Sequence, residues 1–308
     1  SYNYIGGDAT YVIMPNEVME QNCLLKYEGD AFFYGSLAEP MSCIIGAFHA
    51  NYHTQAGSYE HKMGITKGGN MAVLAGAGPM GLGAIDYAIS CNIRPSLIVV
   101  TDIDDDRLKR AAQIFPPQKA EKNGIKLIYA NTTDADYLMS LTNGHGYDDV
   151  FVYAPVASVV ELGDCILAKD GCLNFFAGPT NPEFKAAFNF YNVHYASTHV
   201  VGTSGGNTDD MVEALSMMEK GLIDPAAMIT HIGGLDCVIE TTLNLPKIPG
   251  GKKLIYTNIE MPLTAIADFA ELGKNNEIFA ELAKIVAQNN GLWCAKAEKH
   301  LLEVCSRG

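Results

Sequence analysis

Short apolar runs alternate with helical patterns through the middle of the chain. The runs lie at Met71 to Ala75, Leu97 to Val100, Lys126 to Tyr129 and Asp149 to Tyr153. Each run is followed by a stretch of residues with helical spacing. Continuous apolar runs between helices are typical of parallel strands that are covered on both faces. The pattern therefore predicts an α/β fold built on a parallel sheet.

The segments around this region have other patterns. Residues up to about Lys67 mix aromatic and turn-forming side chains, which predicts irregular, strand-like structure. Two adjacent prolines, Pro116 and Pro117, predict an exposed loop that ends near Gly124.

The last third of the chain begins with a predicted helix over 209–219, followed by a strand candidate at 252–256. From about Ile266 to Val304 the pattern is helical and predicts a C-terminal tail with one buried face. The residues spaced for that face are Phe269, Leu272, Ile278, Leu282 and Ile285.

A glycine-rich turn follows the first apolar run and opens the first helix. Its residues are Gly76, Ala77, Gly78, Pro79, Met80 and Gly81. Gly76 permits a tight turn, Gly78 lets the backbone approach a pyrophosphate, and Gly81 lets helix and strand pack closely. The helix N-terminus adds N–H donors and a positive dipole end, and a proline is tolerated in its first turn. The motif predicts a dinucleotide-binding site on a Rossmann-type, doubly wound sheet.

Asp102 lies just past the second apolar run, 21 residues after the last glycine of the motif. A carboxylate there can accept both ribose hydroxyls of an adenosine, and it would repel a 2′-phosphate, which favours NAD over NADP. The alternative is that Asp102 and Asp104 only cap the following helix. Arg107 and Lys109 are close enough to leave the preference for NAD open.

With these residues in place, the chain resembles the medium-chain, zinc-type alcohol and polyol dehydrogenases, including the sorbitol dehydrogenases. Residues 37–42 (Leu-Ala-Glu-Pro-Met-Ser) resemble the Glu-Pro segment of that family. The resemblance continues through 76–81, Asp102, 175–178, 201–204, 228–232 and 252–256, and so covers roughly Gly7 to Tyr256.

The resemblance implies a Rossmann domain inserted into a GroES-like, β-rich catalytic domain, which is incomplete here. The implied order is a catalytic-domain remnant at 1–39, the Rossmann domain at 40–206, a return to the catalytic domain at 207–262 and a helical tail at 263–308. It also implies NAD and zinc as cofactors, with zinc polarising an alcohol oxygen while hydride passes to the nicotinamide. The implied reaction interconverts a polyol and a ketose, free or as sugar phosphates of the L-sorbose 1-phosphate or glucitol 6-phosphate type.

Glu39 has the position of the family's third zinc ligand, or of a carboxylate that reaches the metal through water. It is therefore the candidate metal ligand and a candidate catalytic residue. An acid in an apolar stretch is costly unless it is paired or metal-bound, so a salt-bridged structural carboxylate is the alternative. His49 is the second catalytic candidate, as a proton relay from the cofactor ribose. His49 and His53 would have i, i+4 spacing if they lay on a helix and could then form a metal trio with His61, but helix-surface or packed histidines near the domain junction are the favoured interpretation.

The resemblance places further residues on the nicotinamide side of the cofactor. They are Ala154 after the fourth strand, Gly178, Gly202 and Thr203. For the glycines, turn geometry alone is the alternative explanation.

Other ligands that the family pattern requires are missing. Only 38 residues precede Glu39, and they include one cysteine, Cys23, and no histidine. We expect an N-terminal truncation, so that this chain alone does not hold catalytic zinc. A non-catalytic dinucleotide-binding module is therefore the competing hypothesis. A zinc-free quinone reductase-like relative is a third, but Glu39 and Asp102 count against it.

Composition and charge limit the classes of partner that the chain is expected to bind. The chain of 308 residues is 48% hydrophobic and carries a net charge of −14, which argues against a nucleic-acid partner. The sequence contains no run of 18 apolar residues without charges, so no membrane span is predicted. Eight scattered cysteines without a Cys-x-x-Cys pair fit a reducing cytoplasm. A small-molecule polyol or sugar phosphate is the expected substrate. By resemblance, we expect a homodimer or homotetramer formed through the sheet edge near 195–201.

Overall fold

The structure, a computed structural model, describes residues 6–55 and 57–305. The chain folds into two compact units. One unit is Ala38–Asp224, and the other is the described part of Ser1–Leu37 together with that of Pro225–Gly308. No helix in the described ranges is long and apolar enough to span a membrane.

The described strands are β1 (Tyr52–Thr54), β2 (His61–Met63), β3 (Asn70–Leu74), β4 (Leu97–Thr101), β5 (Lys126–Ala130), β6 (Tyr147–Val152), β7 (Leu167–Phe175), β8 (His199–Gly202), β9 (Ile229–Gly234), β10 (Lys252–Tyr256) and β11 (Thr264–Ala265). The described α-helices are α1 (Asn16–Glu20), α2 (Phe32–Ser36), α3 (Ala38–Ala50), α4 (Pro79–Ser90), α5 (Asp105–Ile114), α6 (Pro117–Glu121), α7 (Ala135–Ser140), α8 (Ala157–Cys165), α9 (Phe190–Tyr195), α10 (Thr208–Glu219), α11 (Val238–Asn244), α12 (Phe269–Leu272), α13 (Glu277–Gln288) and α14 (Ala295–Cys305).

The unit Ala38–Asp224 is built on a six-stranded sheet with the order β5-β4-β3-β6-β7-β8. All of its neighbouring strands pair in parallel. The chain moves outward from β3 to β5 and then returns to place β6 on the other side of β3. This reversal makes the carboxyl ends of β3 and β6 a topological switch point, where open α/β sheets bind ligands. The predicted doubly wound Rossmann sheet is confirmed.

Helices cover both faces of this sheet, which explains why its strands have continuous apolar runs. On one face, Phe48 of α3 stacks on Phe151 of β6 at 4.5 Å between ring centroids, and it also meets Tyr87 of α4. On the other face, Val150 and Val152 of β6 belong to a buried cluster with residues of α7 and α8. Because side chains alternate along a strand, β6 serves both layers of the core.

The second unit contains a three-stranded sheet in which β9 pairs in parallel with β10 and antiparallel with β11. Its tail is helical, as predicted. Glu298 of α14 is buried and accepts hydrogen bonds from the backbone N–H groups of Phe32 (2.6 Å) and Phe33 (2.9 Å) and from the Tyr256 hydroxyl (2.7 Å). The indole of Trp293 donates to the same Tyr256 hydroxyl at 2.8 Å. Glu298 thereby caps α2, which has no side-chain cap of its own.

Three local predictions are wrong. The strand-like stretch before Lys67 contains the 13-residue helix α3, nine of whose residues are buried, so its sequence lacks an amphipathic period. The loop predicted near Pro117 contains the short helix α6, which buries Ala120. In the tail, Leu272 is 40% exposed rather than part of the buried face, since α12 ends there.

Candidate functional site

The glycine-rich turn joins β3 to α4 at the switch point. A Cβ on Gly76 would lie 2.5 Å from Val73 Cγ1, and one on Gly81 would lie 2.1 Å from the carbonyl oxygen of Gly76. Both positions therefore require glycine for packing. A Cβ on Gly78 would meet no atom within 4 Å. The open space beside Gly78 is where the sequence predicts that a phosphate approaches.

The N-terminus of α4 is open to a ligand. Gly78 is its N-cap residue and supplies no side-chain acceptor, and Pro79 follows as the first helical residue. The backbone N–H groups of Met80 and Gly81 therefore lie in a first turn without a side-chain cap. Such a helix start favours an anion through both its donors and its dipole.

Asp102 is tied directly to the glycine turn. It is 7% exposed, its Oδ2 accepts the N–H of Ala77 at 3.1 Å, and its Oδ1 accepts the N–H of Asp104 at 3.1 Å. The carboxylate thus has a fixed position at the end of β4, beside the turn. Each oxygen keeps acceptor capacity for a ribose hydroxyl.

The capping alternative applies to Asp104 and not to Asp102. Asp104 Oδ1 accepts the N–H groups of Asp106 and Arg107 and so caps α5. Arg107 and Lys109 are the two cations that could have favoured NADP. Each lies near an aspartate: Arg107 Nε is 3.4 Å from Asp104, and Lys109 Nζ is 3.2 Å from Asp106.

The candidates for the nicotinamide side follow the carboxyl ends of the next three strands. Ala154 lies two residues past β6, Gly178 three residues past β7, and Gly202 ends β8. The buried hydroxyl of Thr203 has no hydrogen-bond partner within the described ranges. These residues therefore lie along the same sheet edge as the glycine turn.

Sequence reasoning missed Tyr153, the first residue after β6. Its buried hydroxyl likewise has no partner among residues 6–55 and 57–305. The one available signal was a tyrosine directly after a central apolar strand. Together, the open turn, the fixed Asp102 and the two unpartnered hydroxyls fit a dinucleotide lying across this edge.

Within the part of the chain that the structure describes, the donors for zinc are too few. Glu39 is exposed in the first turn of α3, so burial does not make its charge costly, and among the described residues its carboxylate accepts the Cys43 thiol at 3.1 Å rather than meeting the cation that the salt-bridge alternative requires. Catalytic zinc requires three protein ligands. The described residues contain no group of three histidine, cysteine or acidic side chains that could hold a metal ion.

His49 lies at the other end of α3, ten residues and about 15 Å along the helix from Glu39. Its Nδ1 is 2.7 Å from Asp210 Oδ1, and its Nε2 is 3.5 Å from the Tyr87 hydroxyl, which donates to Glu213 at 2.7 Å. Tyr87 is near the end of α4, away from the glycine turn. The structure therefore does not bring His49 to that turn.

His53 is on β1 rather than on the helix that carries His49, so the two histidines do not form an i, i+4 pair on one helix. Its Nε2 is 3.1 Å from Asp149 Oδ1, and its Nδ1 is 2.9 Å from the backbone oxygen of Asp170. Burial by itself would lower the pKa of His53, but the hydrogen bond and charge of Asp149, together with Asp170, raise it above the ordinary value. His61, on β2, is exposed.

Two carboxylates at the amino edge of the sheet, Asp149 and Asp170, accept several hydrogen bonds each. Asp149 also accepts the Asn51 side-chain amide at 2.7 Å and the Thr66 N–H at 2.8 Å. Asp170 accepts the Thr54 hydroxyl at 2.6 Å and faces His199 Nε2 at 2.7 Å. Burial would raise the pKa of Asp170, but hydrogen bonds from Thr54 and His199 hold it below its ordinary range.

Comparison with known proteins places this site in context. Residues 79–220 match the family model described as "Zinc-binding dehydrogenase". The chain is 57% identical to mannitol-1-phosphate 5-dehydrogenase of Aliivibrio fischeri over 98% of this chain and 73% of that one. It is 50% identical to L-sorbose 1-phosphate reductase of Klebsiella pneumoniae over 98% of this chain and 71% of that one.

A solved structure shares the fold. The 2R,3R-butanediol dehydrogenase of Bacillus subtilis aligns with a TM-score of 0.57 and 21% identity, over 76% of this chain and 60% of that one. This chain therefore spans less than two thirds of the length of that solved chain.

Proposed function

The chain belongs to the zinc-binding, medium-chain dehydrogenase family of oxidoreductases, as the Glu39-Pro40 segment and the glycine turn predicted, and we propose that it binds NAD(H) along the carboxyl edge of its parallel sheet. The proposed reaction interconverts a polyol and a ketose as sugar phosphates. When bound, the dinucleotide supplies or accepts the hydride of that reaction.

One observation carries the proposal: the Asp102 carboxylate is hydrogen-bonded to the N–H of Ala77 inside the glycine turn. The proposed diphosphate site and the proposed ribose site are therefore joined directly by a hydrogen bond. The turn would hold the diphosphate through backbone N–H groups, and Asp102 would accept the adenosine ribose hydroxyls. A 2′-phosphate beside this buried acid would be repelled, which supports NAD over NADP.

The substrate class rests on the relatives. One is named for mannitol 1-phosphate and the other for L-sorbose 1-phosphate. In the proposed oxidation, a secondary alcohol carbon loses a hydride to the oxidised cofactor and its hydroxyl loses a proton, which leaves a ketone. The reduction runs in the opposite sense.

A dinucleotide-binding module without its own catalysis is the second candidate. The observation that favours it is the donor set at Glu39, where Cys43 is the near neighbour and a third ligand is lacking among the described residues. We derive no step through zinc from these residues. The carboxylate of Glu39 stays the proposed point at which a metal would meet this chain.

A direct test is titration of the chain with NADH and NADPH, followed by cofactor fluorescence and calorimetry. We expect NADH to bind at least about tenfold more tightly than NADPH. Asp102→Ala should weaken NADH binding by about tenfold or more, since it removes charged acceptors. Asp104→Ala is the matched control: it should cost about 1 kcal/mol of stability as a lost helix cap and leave NADH affinity unchanged.

Turnover separates the two candidates. NADH consumption with L-sorbose 1-phosphate supports the oxidoreductase, whereas NADH binding without turnover on any polyol, ketose or sugar phosphate supports the module. A chain that binds neither cofactor would overturn both.

Self-association through β8 is part of the proposal. This strand is at one edge of the six-stranded sheet, and an edge strand offers backbone groups for pairing with another chain. Val200 on β8 is 50% exposed, and nearby α9 exposes Phe190, Tyr191 and Tyr195. We expect light scattering to give a dimer or tetramer, and Val200→Lys to shift it toward monomer.

A cytoplasmic location belongs to the same proposal, supported by eight free cysteines.

A further inference from the structure

Tyr153 lies where the two halves of the sheet meet. Its backbone N–H donates to the carbonyl of Leu74, the last residue of β3, at 3.0 Å. Its ring is 4.8 Å from the ring of Phe176, which directly follows β7. The residue is therefore held between the strand that leads into the glycine turn and the strand that leads to Gly178.

The hydroxyl of Tyr153 differs from the other buried tyrosine hydroxyls of this unit. Tyr147 donates to the Leu138 carbonyl at 2.9 Å, Tyr129 to the Phe115 carbonyl at 2.8 Å, and Tyr87 to Glu213 at 2.7 Å. The Tyr153 hydroxyl has no partner within the described ranges. Buried polar groups are rarely left in this state, because a lost hydrogen bond to water is not replaced.

Two further facts limit what the missing partner can be. Burial raises the pKa of Tyr153 well above its ordinary value, so the hydroxyl keeps its proton and is available as a donor. The residue as a whole is only partly buried although its hydroxyl is buried, and it directly follows β6 at the carboxyl edge of the sheet. A partner for this hydroxyl would therefore be an acceptor at that edge.

Strand order shows which part of a ligand would pass this residue. β6 lies between β3, which carries the phosphate turn, and the pair β7 and β8, which carries Gly178, Gly202 and Thr203. A dinucleotide that ran from Asp102 across the turn would reach β6 beyond its pyrophosphate, so the oxygens of its second ribose would be the acceptors nearest to this strand.

We propose that Tyr153 is a cofactor-binding residue whose hydroxyl donates a hydrogen bond to an oxygen of the nicotinamide-side ribose. This inference rests on the proposed function, since it requires that a dinucleotide occupies the edge. The buried hydroxyl is then left without a partner in the free chain and gains one on binding. Thr203, unpartnered in the same way after β8, marks the continuation of the path.

Tyr153→Phe tests the inference through two measurements that move in opposite directions. The phenyl ring keeps the shape and removes the unpaired hydroxyl, so thermal unfolding of the free chain should occur at the same temperature or about 2 °C higher. NADH affinity, measured by fluorescence titration and calorimetry, should fall about five- to tenfold. The NADH-induced rise in unfolding temperature should shrink accordingly.

Tyr147→Phe is the matched control, because Tyr147 begins the strand that Tyr153 follows and its hydroxyl is paired. It should lower the unfolding temperature by about 2–4 °C and keep NADH affinity within about twofold of wild type. Wild-type NADH affinity in Tyr153→Phe would overturn the inference alone. So would a loss of stability in the free variant with unchanged affinity, the result for a hydroxyl paired with a buried water. A wild-type chain that binds no NADH would overturn the proposed function and this inference together.

Discussion

At the amino edge of the six-stranded sheet, Asp149 and Asp170 each accept hydrogen bonds from several groups. At the carboxyl edge, the buried hydroxyls of Tyr153 and Thr203 have no partner in the described ranges, and the helix that starts after Gly78 lacks a side-chain cap. Both edges are formed by the same strands, since Asp149 and Tyr153 are four residues apart. At one end of β6 the buried carboxylate has hydrogen-bond partners within the chain, whereas at the other end the Tyr153 hydroxyl has none within the described ranges.

This difference separates stability from binding on physical grounds. A buried group that already has its partners stabilises the fold and has little capacity left for a ligand. A group without partners destabilises the free chain slightly, and binding can recover that free energy. Substitutions of the paired groups at the amino edge should therefore change unfolding and leave cofactor affinity alone, whereas substitutions at the open or unpartnered positions of the carboxyl edge should do the opposite.

The largest expected effect is at the amino edge. Asp149→Ala removes the acceptor of Asn51, His53 and Thr66 and leaves the partly buried His53 imidazole without the nearer of its two charged partners. We expect the free energy of unfolding in urea to fall by about 3–5 kcal/mol, the usual cost of breaking a buried pair from one side. NADH affinity of the folded variant should stay within about twofold of wild type.

An exposed acid provides the control for that change. Glu183→Ala removes a surface carboxylate 3.5 Å from Lys185 and should change stability by less than about 0.5 kcal/mol. A loss below about 1 kcal/mol in Asp149→Ala would mean that the amino edge does not stabilise the sheet as described. A large loss of NADH affinity would mean that the two edges are not independent.

The next effect separates two glycines of the same turn. Gly81→Ala places a Cβ 2.1 Å from the carbonyl oxygen of Gly76, so it should lower stability by about 1–3 kcal/mol through overpacking. Gly78→Ala adds a Cβ where no atom lies within 4 Å, so unfolding should change by less than about 0.5 kcal/mol.

NADH binding should be weaker in Gly78→Ala than in Gly81→Ala, which is the reverse of the order expected for their losses of stability. The Cβ of Gly78→Ala would occupy the space that a diphosphate needs, and we expect about tenfold weaker NADH binding by calorimetry. If Gly78→Ala bound NADH as wild type does, the open space at Gly78 would not be the phosphate site. The glycine turn would then not differ from the amino edge in its capacity for a ligand.

The sequence predicts the strands and the glycine turn at the carboxyl edge correctly because their features are local. Continuous apolar runs mark the strands, and the spacing of Gly76, Gly78 and Gly81 reflects contacts within one turn. Asp102 is identifiable because it follows the next strand at a fixed distance. Each of these signals lies within about 30 residues of chain.

The features that the sequence does not predict depend on distant contacts or on the absence of a pattern. Helix α3 is buried on most sides, which removes the period that would identify it. The partners His53 and Asp149 are 96 residues apart, and no local spacing connects them. Tyr153 has no motif at all, since its significance is a missing partner that only the structure reveals.

The smallest expected effect is a pH dependence at the amino edge. Both nitrogens of His53 face acceptors, Asp149 Oδ1 and the Asp170 carbonyl, which requires that both carry a proton. Because the folded pKa of His53 is raised, its contribution to stability is complete below the unfolded pKa of about 6.5 and is lost as pH rises through the folded pKa. Asp170, whose pKa is lowered, loses its contribution only as pH falls into the acid range and so does not interfere.

Urea unfolding of the wild-type chain and of His53→Asn between pH 6 and pH 9 measures the pH-dependent contribution of His53 to stability. At pH 6 the wild type should be more stable, and the gap should narrow by about 1 kcal/mol as pH rises, because the neutral imidazole can donate to only one of its two acceptors. A gap that stays constant across the range would mean that His53 is neutral in the folded chain. NADH affinity should follow no such trend, because His53 lies at the edge of the sheet opposite to the proposed cofactor site.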